Sequence, residues 1–268
     1  MKKANNLISV LIINYNNEKY VSRAIKSCLN QSYKNLEILV YDDNSTDNSK
    51  YKIKKFKNNK KIKIYFNKKN KKNISAFDAA NGYIFLFKKS KGKIICLLDS
   101  DDFFHKNKLK HLFNFFSKNK EKKFVQNLPI EINNKVKHLK KNKNSFLSYW
   151  PYLPPESCIS FRRNFMNKFL IKNNKLRFKF KDVWLGFRMG LFAFFIEENF
   201  ATIEKHLTFY EALGESNKYK KFGLNWFLRR KNSFDYLYKI SNKEQKYLIN
   251  LDYIITLIIS FIFRFRKL

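Results

Sequence analysis

Residues 97–105 read Leu97-Leu98-Asp99-Ser100-Asp101-Asp102-Phe103-Phe104-His105, with three acidic residues at the end of an apolar run. The apolar run, residues 94–98, has the length and β-branched content of a buried strand. Three acids at one strand end repel each other unless a cation binds, and Asp oxygens suit Mg²⁺ or Mn²⁺ together with substrate phosphates. The motif therefore indicates metal-assisted chemistry on a phosphate-bearing substrate, or else an Asp-rich turn that caps the helix expected near Lys106.

Strand-like runs alternate with helix-length segments along the first third of the chain. The strand-like runs cover residues 8–13, 36–41, 62–66 and 94–98, and the segments between them cover 17–30, 46–57 and 74–90. This alternation predicts an α/β fold with a doubly wound, mostly parallel sheet and helices on both faces. Ligands bind beyond the carboxyl ends of such strands. We therefore expect Asn14-Tyr15, Asp42-Asp43 and Asp99 to Asp102 to lie on one edge of the sheet.

Four short motifs, in the same order along the chain, resemble those of the family-2 glycosyltransferases of the GT-A fold. They are ISVLIINYN (8–16), SCLNQSY (27–33), DDNSTD (42–47) and DSDD (99–102). The resemblance covers residues 7–110, is weaker over 145–217 and is only loose beyond 220. It implies a GT-A-like domain over 1–215, with a nucleotide-sugar half (7–110) and an acceptor half (111–215). Residues 216–268 would form a C-terminal helical appendage.

The resemblance also implies an activity and a donor site. The activity is transfer of a sugar from a nucleoside-diphosphate sugar, with a UDP-sugar favoured, using Mn²⁺ or Mg²⁺. Asp101 would bind the metal and Asp99 would lie near the ribose, with Asp102 either assisting or, as we expect, capping the next helix. Tyr15 and Asp43 would bind the nucleobase beside Asn14. Alternatively, Tyr15 covers the sheet edge.

The acceptor half departs from the family pattern at several positions. Asp182 aligns with the Asp usually assigned as general base in an inverting transfer, but Lys181 replaces the Glu before it, and Asp182 could instead N-cap a helix over 183–195. The segment 71–81 lacks the Arg that many members carry near the diphosphate. Glu211 follows Tyr210 where many members have Arg. The Pro-rich segment 150–157 corresponds to an acceptor-facing loop in the family.

The net charge, the cysteines and the N-terminal residues limit the partners and the compartment that fit this chain. The chain has 268 residues and a formal net charge of +35, for which nucleic acid or an anionic membrane are the physical partners. The lysines are mixed with Asn, Ile and Phe, as A/T-rich codon usage produces, and no RNA-reading aromatic motif or zinc finger occurs, so nucleic acid is the less favoured partner. The three cysteines have no zinc spacing and fit a reducing cytosol. The apolar run near the N-terminus stops at Asn14 and fits a strand better than a signal peptide.

The C-terminal segment is strongly apolar. Residues 253–263 are mostly Ile, Leu and Phe, and Arg264, Arg266 and Lys267 follow. Eleven residues are too few to span a bilayer. The segment predicts either an interfacial helix on the cytoplasmic membrane face or a helix packed on the domain or on a second subunit.

Together these features predict a cytoplasmic glycosyltransferase acting on a cell-envelope glycan or a lipid-linked acceptor. It would be peripheral on the cytoplasmic membrane face if the C-terminal helix is interfacial. The departures at Lys181 and Glu211 leave open a catalytically silent relative that binds nucleotide sugar. The positive charge leaves open a nucleic-acid-binding protein.

Overall fold

The computed structural model describes residues 6–68, 75–132, 150–211 and 222–265. The strands in these ranges are β1 (Ile8–Asn14), β2 (Leu36–Asp42), β3 (Ile62–Phe66), β4 (Ile94–Asp99), β5 (Phe103–Phe104), β6 (Phe124–Glu131), β7 (Ile159–Arg162) and β8 (Phe200–Tyr210). The α-helices are α1 (Val21–Leu29), α2 (Ser49–Lys54), α3 (Ser75–Lys89), α4 (Lys108–Lys118), α5 (Arg163–Asn173), α6 (Leu176–Lys179), α7 (Leu185–Phe195), α8 (Leu224–Ile240) and α9 (Leu251–Phe265). A 3₁₀ turn at Glu156–Cys158 precedes β7.

All these strands belong to one sheet with the order β3-β2-β1-β4-β7-β6-β8-β5. Strands β3, β2, β1 and β4 are parallel neighbours, and β7 runs antiparallel to both β4 and β6. In the register, Asn14 lies opposite Asp42 and Ile13 lies opposite Asp99. The polar ends of three parallel strands therefore meet at one edge, as the sequence predicts.

The sheet has an apolar core on each face because its central strands are buried on both sides. On one face, β1 side chains such as Val10 and Ile12 pack with residues of α1, α2 and α4. On the other face, Leu11 packs with residues of α3, α5, α7 and α8. This is the α/β architecture with helices on both faces that the sequence predicts, although its second half is mixed rather than parallel.

The C-terminal helices differ in how they join the domain. Helix α8 contributes Phe234, Tyr236, Leu237 and Ile240 to the same core as α3 and α7. Helix α9 packs on α8. Within the described ranges, every helix is too short or too polar to cross a membrane. The predicted domain boundary at 215/216 falls outside the described residues.

Candidate active site

The polar edge of the sheet is braced by a buried hydrogen-bond network. The Asn14 amide donates to Asp42 Oδ2 over 2.8 Å and to Ser45 Oγ over 3.1 Å. Asp42 is fully buried and accepts from the backbone N–H and the hydroxyl of Ser45. Asn14 is only 2% exposed, and its amide nitrogen is committed to this network, whereas its Oδ1 has no hydrogen-bond partner among the described residues. The network fixes the loops that carry Tyr15 and Asp43.

A cleft of about 220 Å³ opens beside this edge, and we call it the Tyr15 cleft. The predicted donor residues lie together on its walls: Asn14, Tyr15, Asp43, Asp99 and Asp101. The Asp43 carboxylate is partly buried and accepts from the Asn67 amide over 2.7 Å. Tyr15 is 41% exposed and lines the cleft, and an aromatic ring in such a position can stack on a base.

Asp99 ends β4 and is held from two sides. The Tyr83 hydroxyl donates to Asp99 Oδ1 over 2.7 Å, and the Asp99 backbone N–H donates to Ser157 Oγ over 2.9 Å. Burial and the nearby negative charges of Glu156 and Asp101 raise the pKa of Asp99 well above its usual range. A carboxylate in this position favours a proton or a cation.

Asp101 lies beside a second acid and a cation. Arg23 donates through Nη2 to the Asp101 backbone carbonyl over 2.7 Å and forms an ion pair with Glu211. Burial raises the pKa of the Asp101 carboxyl and Glu211 raises it further, whereas Arg23 opposes the shift. Glu211, which departs from the family pattern, thus adds negative charge next to the predicted metal ligand.

The prediction that Asp102 caps the following helix is wrong. Helix α4 begins at Lys108 with Asn107 as its N-cap, and the structure gives that cap no side-chain hydrogen bond. Asp102 is instead fully buried, and its Oδ1 accepts from the Glu211 backbone N–H over 3.0 Å. Among the described residues its Oδ2 has no hydrogen-bond partner. Burial, with the charge of Asp101, raises the pKa of Asp102 to about 7.

A buried lysine lies beneath the acids. Lys108 Nζ donates to the Ser157 carbonyl over 2.6 Å and to Thr208 Oγ1 over 2.8 Å, and it lies 3.8 Å from the centre of the Phe104 ring. Burial lowers the pKa of Lys108 to about 8. Because Ser157 also contacts Asp99, Lys108 links the end of β4 to β8. Nothing in the sequence distinguishes Lys108 from the rest of the 56 Lys and Arg residues.

The acidic residues suit a hard cation whose remaining ligands come from the substrate. In the part of the chain that the structure describes, no group of three or more His, Cys, Asp or Glu side chains forms a cage for a metal. Asp99 and Asp101 nevertheless line the same clefts, and the buried Asp102 Oδ2 beside them lacks a partner. Mg²⁺ is usually bound through one or two carboxylates plus substrate phosphates, so the donor set suits it or Mn²⁺.

A second cleft, of about 350 Å³, lies on the other side of the acids, and we call it the Glu156 cleft. Its charged and aromatic walls include Glu156, Trp184, Phe187, Tyr210 and Arg229. Asp99, Asp101 and Trp184 line both clefts. The two clefts therefore meet at the acidic strand end.

Glu156 is the carboxylate of this second cleft. Its Oε1 accepts from the Gly186 backbone N–H in the first turn of α7 over 2.5 Å, while its Oε2 has no hydrogen-bond partner within the described ranges. Burial raises its pKa, and Arg188 and Arg229 partly oppose the shift. A Cβ on Gly186 would lie 2.7 Å from Glu156 Cγ, so glycine at 186 allows this close approach.

Asp182, the predicted base, lies apart from these walls. The Asn232 amide of α8 donates to Asp182 Oδ2 over 2.7 Å. The residues that line the two clefts, so far as the structure describes them, do not include Asp182. Its alternative role as a helix cap is wrong, because α7 begins at Leu185 with Trp184 as N-cap and without a side-chain cap bond there.

The family model for glycosyl transferase family 2 matches residues 9–200, which is more than half of the chain. The chain belongs to this family. An uncharacterised glycosyltransferase of Haemophilus influenzae is 38% identical over 114 residues, covering 42% of this chain and 43% of that protein. The Escherichia coli UDP-Glc:α-D-GlcNAc-diphosphoundecaprenol β-1,3-glucosyltransferase WfgD is 35% identical over 130 residues, covering 48% of this chain and 49% of that protein. The matches thus span less than half the length of these relatives.

Solved structures support the same fold for this family-2 chain. Staphylococcus aureus TarS 1-349 in complex with UDP-GlcNAc superposes with a TM-score of 0.63 at 16% identity, covering 94% of this chain and 70% of that one. The mannosyltransferase PcManGT from Pyrobaculum calidifontis, in complex with GDP-Man and Mn²⁺, gives a TM-score of 0.55 at 13% identity, covering 94% and 72%. The predicted GT-A fold class and family are confirmed.

Sequence reasoning about this family-2 site missed four cleft residues. They are Glu156, Phe187, Trp184 and Arg229. The Pro-rich segment 150–157 did signal an acceptor-facing loop, and Glu156 lies in it. Arg229 lies beyond the region of clear resemblance, so only its place in the fold identifies it. The departing segment over residues 71–74 and the loop over 212–217 lie outside the described residues.

Proposed function

We propose that this protein is a metal-dependent, inverting glycosyltransferase that moves a sugar from a nucleoside-diphosphate sugar to an acceptor hydroxyl. The observation that carries the proposal is the meeting of two clefts at Asp99 and Asp101. One cleft has the aromatic and acidic residues that suit a nucleotide, and the other has a carboxylate that suits an acceptor hydroxyl. A sugar bound between them would have its reacting carbon open to the second cleft.

The Tyr15 cleft is the donor site in this proposal. Tyr15 would stack on the base and Asp43 would accept from a base N–H. A UDP-sugar is favoured because WfgD uses UDP-Glc by its description and TarS was crystallised with UDP-GlcNAc. Asp99 would receive the ribose, and Asn14 would hold the loop that carries Tyr15.

Mn²⁺ or Mg²⁺ would be held by Asp101, with Asp99, which lines the same two clefts, as the next candidate and the buried Asp102 as the third. When bound, the ion would neutralise the charge that develops on the leaving diphosphate. The chain supplies a further cation on the acceptor side, because Arg229 lines the Glu156 cleft. Arg229 is our candidate for the diphosphate contact that an Arg in segment 71–81 supplies in many family members.

The acceptor hydroxyl must lose a proton as it attacks. Asp182 stays our prediction for the base on the resemblance, and its bond to Asn232 would have to yield on acceptor binding. Glu156 is the carboxylate that the cleft itself offers, with one oxygen fixed by Gly186 and the other facing no partner among the described residues. The single variants Asp182→Asn and Glu156→Gln separate these two roles.

The acceptor class in this proposal is a cell-envelope glycan or a lipid-linked glycan. WfgD, by its description, acts on a sugar attached to diphosphoundecaprenol. A peripheral position on the cytoplasmic membrane face would bring the enzyme to such an acceptor. The alternative use of the apolar C-terminal segment is contact with a second subunit in a homodimer.

The test is a panel of UDP-, GDP- and TDP-sugars with Mn²⁺, incubated with a lipid-linked GlcNAc diphosphate and scored by released nucleotide and by product mass. We expect release with a UDP-sugar that depends on both metal and acceptor. Donor binding without any release across the panel would point to a silent relative. Salt-sensitive binding to nucleic acid without donor binding would point to a basic nucleic-acid-binding protein and overturn the proposal.

A further inference from the structure

Helix α9 carries its large apolar residues on the outside and its small polar residues on the inside. Thr256 and Ser260 are 1% and 4% exposed, and Ser260 Oγ donates to the Thr256 carbonyl over 2.6 Å. The outward residues are between 40% and 63% exposed, and we call them the α9 stripe: Leu251, Ile254, Ile255, Ile258, Phe261 and Ile262. Their spacing of three and four residues places them on one face of the helix. A helix on the water-exposed surface of a globular protein has the opposite distribution.

This inverted distribution is that of a helix whose outer side faces hydrocarbon. In lipid, small residues such as Ser and Thr lie at contacts between helices, while bulky apolar side chains face outward. Helix α9 has 15 residues, which gives a length of about 22 Å. A bilayer core is about 30 Å thick, so α9 suits a position along the membrane surface rather than across it.

The way in which α8 packs on α9 determines where the α9 stripe lies relative to the Glu156 cleft. Arg230 forms an ion pair with Asp252, and the Tyr253 hydroxyl donates to Asp235 over 3.2 Å. At the other end, the Phe227 and Phe263 rings lie 6.3 Å apart. The helices are therefore antiparallel, and the C-terminal part of α9 lies beside the N-terminal half of α8.

The same half of α8 reaches the Glu156 cleft. Arg229, two residues after Phe227, lines that cleft and lies 5.7 Å from the centre of the Trp184 ring. Lys231, two residues further on, lines a groove with Leu257, Ile258, Ser260 and Phe261 of α9. Arg229 and Lys231 lie about 200° apart around α8, so the helix, about 10 Å across, separates the proposed acceptor cleft from the groove beside the stripe.

The charge of the chain favours an anionic surface over a second copy of the same chain. The formal net charge is +35, so two copies repel each other, whereas acidic headgroups attract each copy. In the sequence, Arg264, Arg266 and Lys267 directly follow the stripe. Basic residues beside an apolar helical face are the pattern of a helix that binds anionic lipid.

We propose that the α8–α9 hairpin docks on an anionic bilayer through the α9 stripe and thereby holds the Glu156 cleft beside the lipid surface. The lipid docking stands on the hairpin alone, whereas its use for a lipid-linked acceptor rests on the proposed function. Docking would place a membrane-embedded acceptor next to Arg229 without a long search through solution.

The experiment is flotation of the full chain with vesicles of phosphatidylglycerol and phosphatidylcholine, and with vesicles of phosphatidylcholine alone, at low and high salt. The test variant is Ile258→Gln/Phe261→Gln. The matched control is Ile171→Gln/Phe178→Gln, because these residues are of the same types and are also exposed, at 81% and 53%. We expect the test variant to lose about tenfold or more in vesicle affinity and the control to keep it. The full chain should float with the anionic vesicles and should do so less at high salt.

The outcomes separate the two proposals. Equal flotation of the test variant and the control, or absence of flotation of the full chain with anionic vesicles at low salt, would overturn the docking. A dimer in sedimentation that the test variant dissociates, without flotation, would assign the stripe to a second copy. Transfer to a water-soluble acceptor analogue should be unchanged in both variants, and a failure of that transfer alone rejects the proposed function but not the docking.

Discussion

In the Tyr15 cleft the predicted donor residues follow strands in chain order, and residues of α3 and Trp184 complete the wall. The wall residues of the Glu156 cleft come mostly from unrelated elements. Asn14 and Asp99 end or directly follow parallel strands whose register aligns them. On the acceptor side, Glu156 comes from a 3₁₀ turn, Trp184 from the start of α7 and Arg229 from α8. A parallel sheet places its strand ends by local rules, while the second wall depends on how distant helices pack. The strand-end side of the Tyr15 cleft is thus built by topology, and the Glu156 cleft by tertiary packing.

The largest loss of activity is expected at Asp99 and Asp101, the acids that line both clefts. Asp101→Ala should abolish Mn²⁺-dependent donor binding and lower turnover by about 10³-fold, because the developing diphosphate charge loses its counter-ion. Calorimetry with UDP-sugar, with and without Mn²⁺, measures the binding. Asp47→Ala is the matched control, since Asp47 lies near the same edge but bonds to the backbone of Glu18 and Ser49. Unchanged metal-dependent binding in Asp101→Ala would remove this assignment.

The next effect distinguishes the two carboxylates of the acceptor half. Asp182→Asn and Glu156→Gln should each keep donor affinity, and the variant that removes the base should lower turnover by about 10²-fold or more. We expect that loss in Asp182→Asn. The measurement is single-turnover transfer at saturating donor, read across pH. A large loss confined to Glu156→Gln, with loss of the acidic limb of the pH profile, would move the role to the cleft carboxylate.

A smaller effect is expected at the nucleobase. Tyr15→Ala and Asp43→Ala should weaken nucleoside-diphosphate binding by about 10- to 100-fold, the usual worth of a stacked base, even when no sugar is attached. Tyr51→Ala provides a control because Tyr51 is exposed and lies outside the cleft. Competition binding of UDP against a fluorescent nucleotide measures the change. Equal affinities for Tyr15→Ala and the control would leave Tyr15 as a cover of the sheet edge.

The smallest effect is a pH dependence of metal binding. The pKa of Asp102 is raised from 3.8 to about 7, so a proton competes with the metal below about pH 7. Mn²⁺ affinity should therefore rise with pH, by at most about tenfold per unit, and level off above about pH 7.

The same shift in the pKa of Asp102 means that the folded state holds this proton where the unfolded state has lost it, between pH 3.8 and about 7. Metal-free stability should then fall as pH rises through that window.

Asp102→Asn tests both parts of this expectation. It should flatten the pH dependence of the denaturant midpoint measured without metal. It should also reduce the pH dependence of Mn²⁺ binding, followed by electron paramagnetic resonance of the free ion. An unchanged slope in both measurements would assign the dependence to another acid of the cluster, with Asp99 the first candidate because its pKa is also raised.

The sequence determined the donor half because its signals are local. Alternating apolar runs and turns fixed the parallel strands, and three polar strand ends in register had to share one edge. Residues such as Asp99 and Asp101 could therefore be assigned before their contacts were known. Helix starts were less well predicted, since the segment after Phe104 and the segment after Asp182 continue as turns before α4 and α7 begin.

Tertiary structure alone decided the burial of Asp102 and Lys108, the close approach of Glu156 to Gly186, and the outward face of α9. Each depends on elements far apart in the chain: Asp102 meets the backbone of Glu211, and Lys108 meets Thr208. The composition of the apolar run over 253–263 does not show which face of the helix is buried. Packing on α8 buried Thr256 and left Ile258 exposed, because a helix shows which face it buries only when its partner is in place.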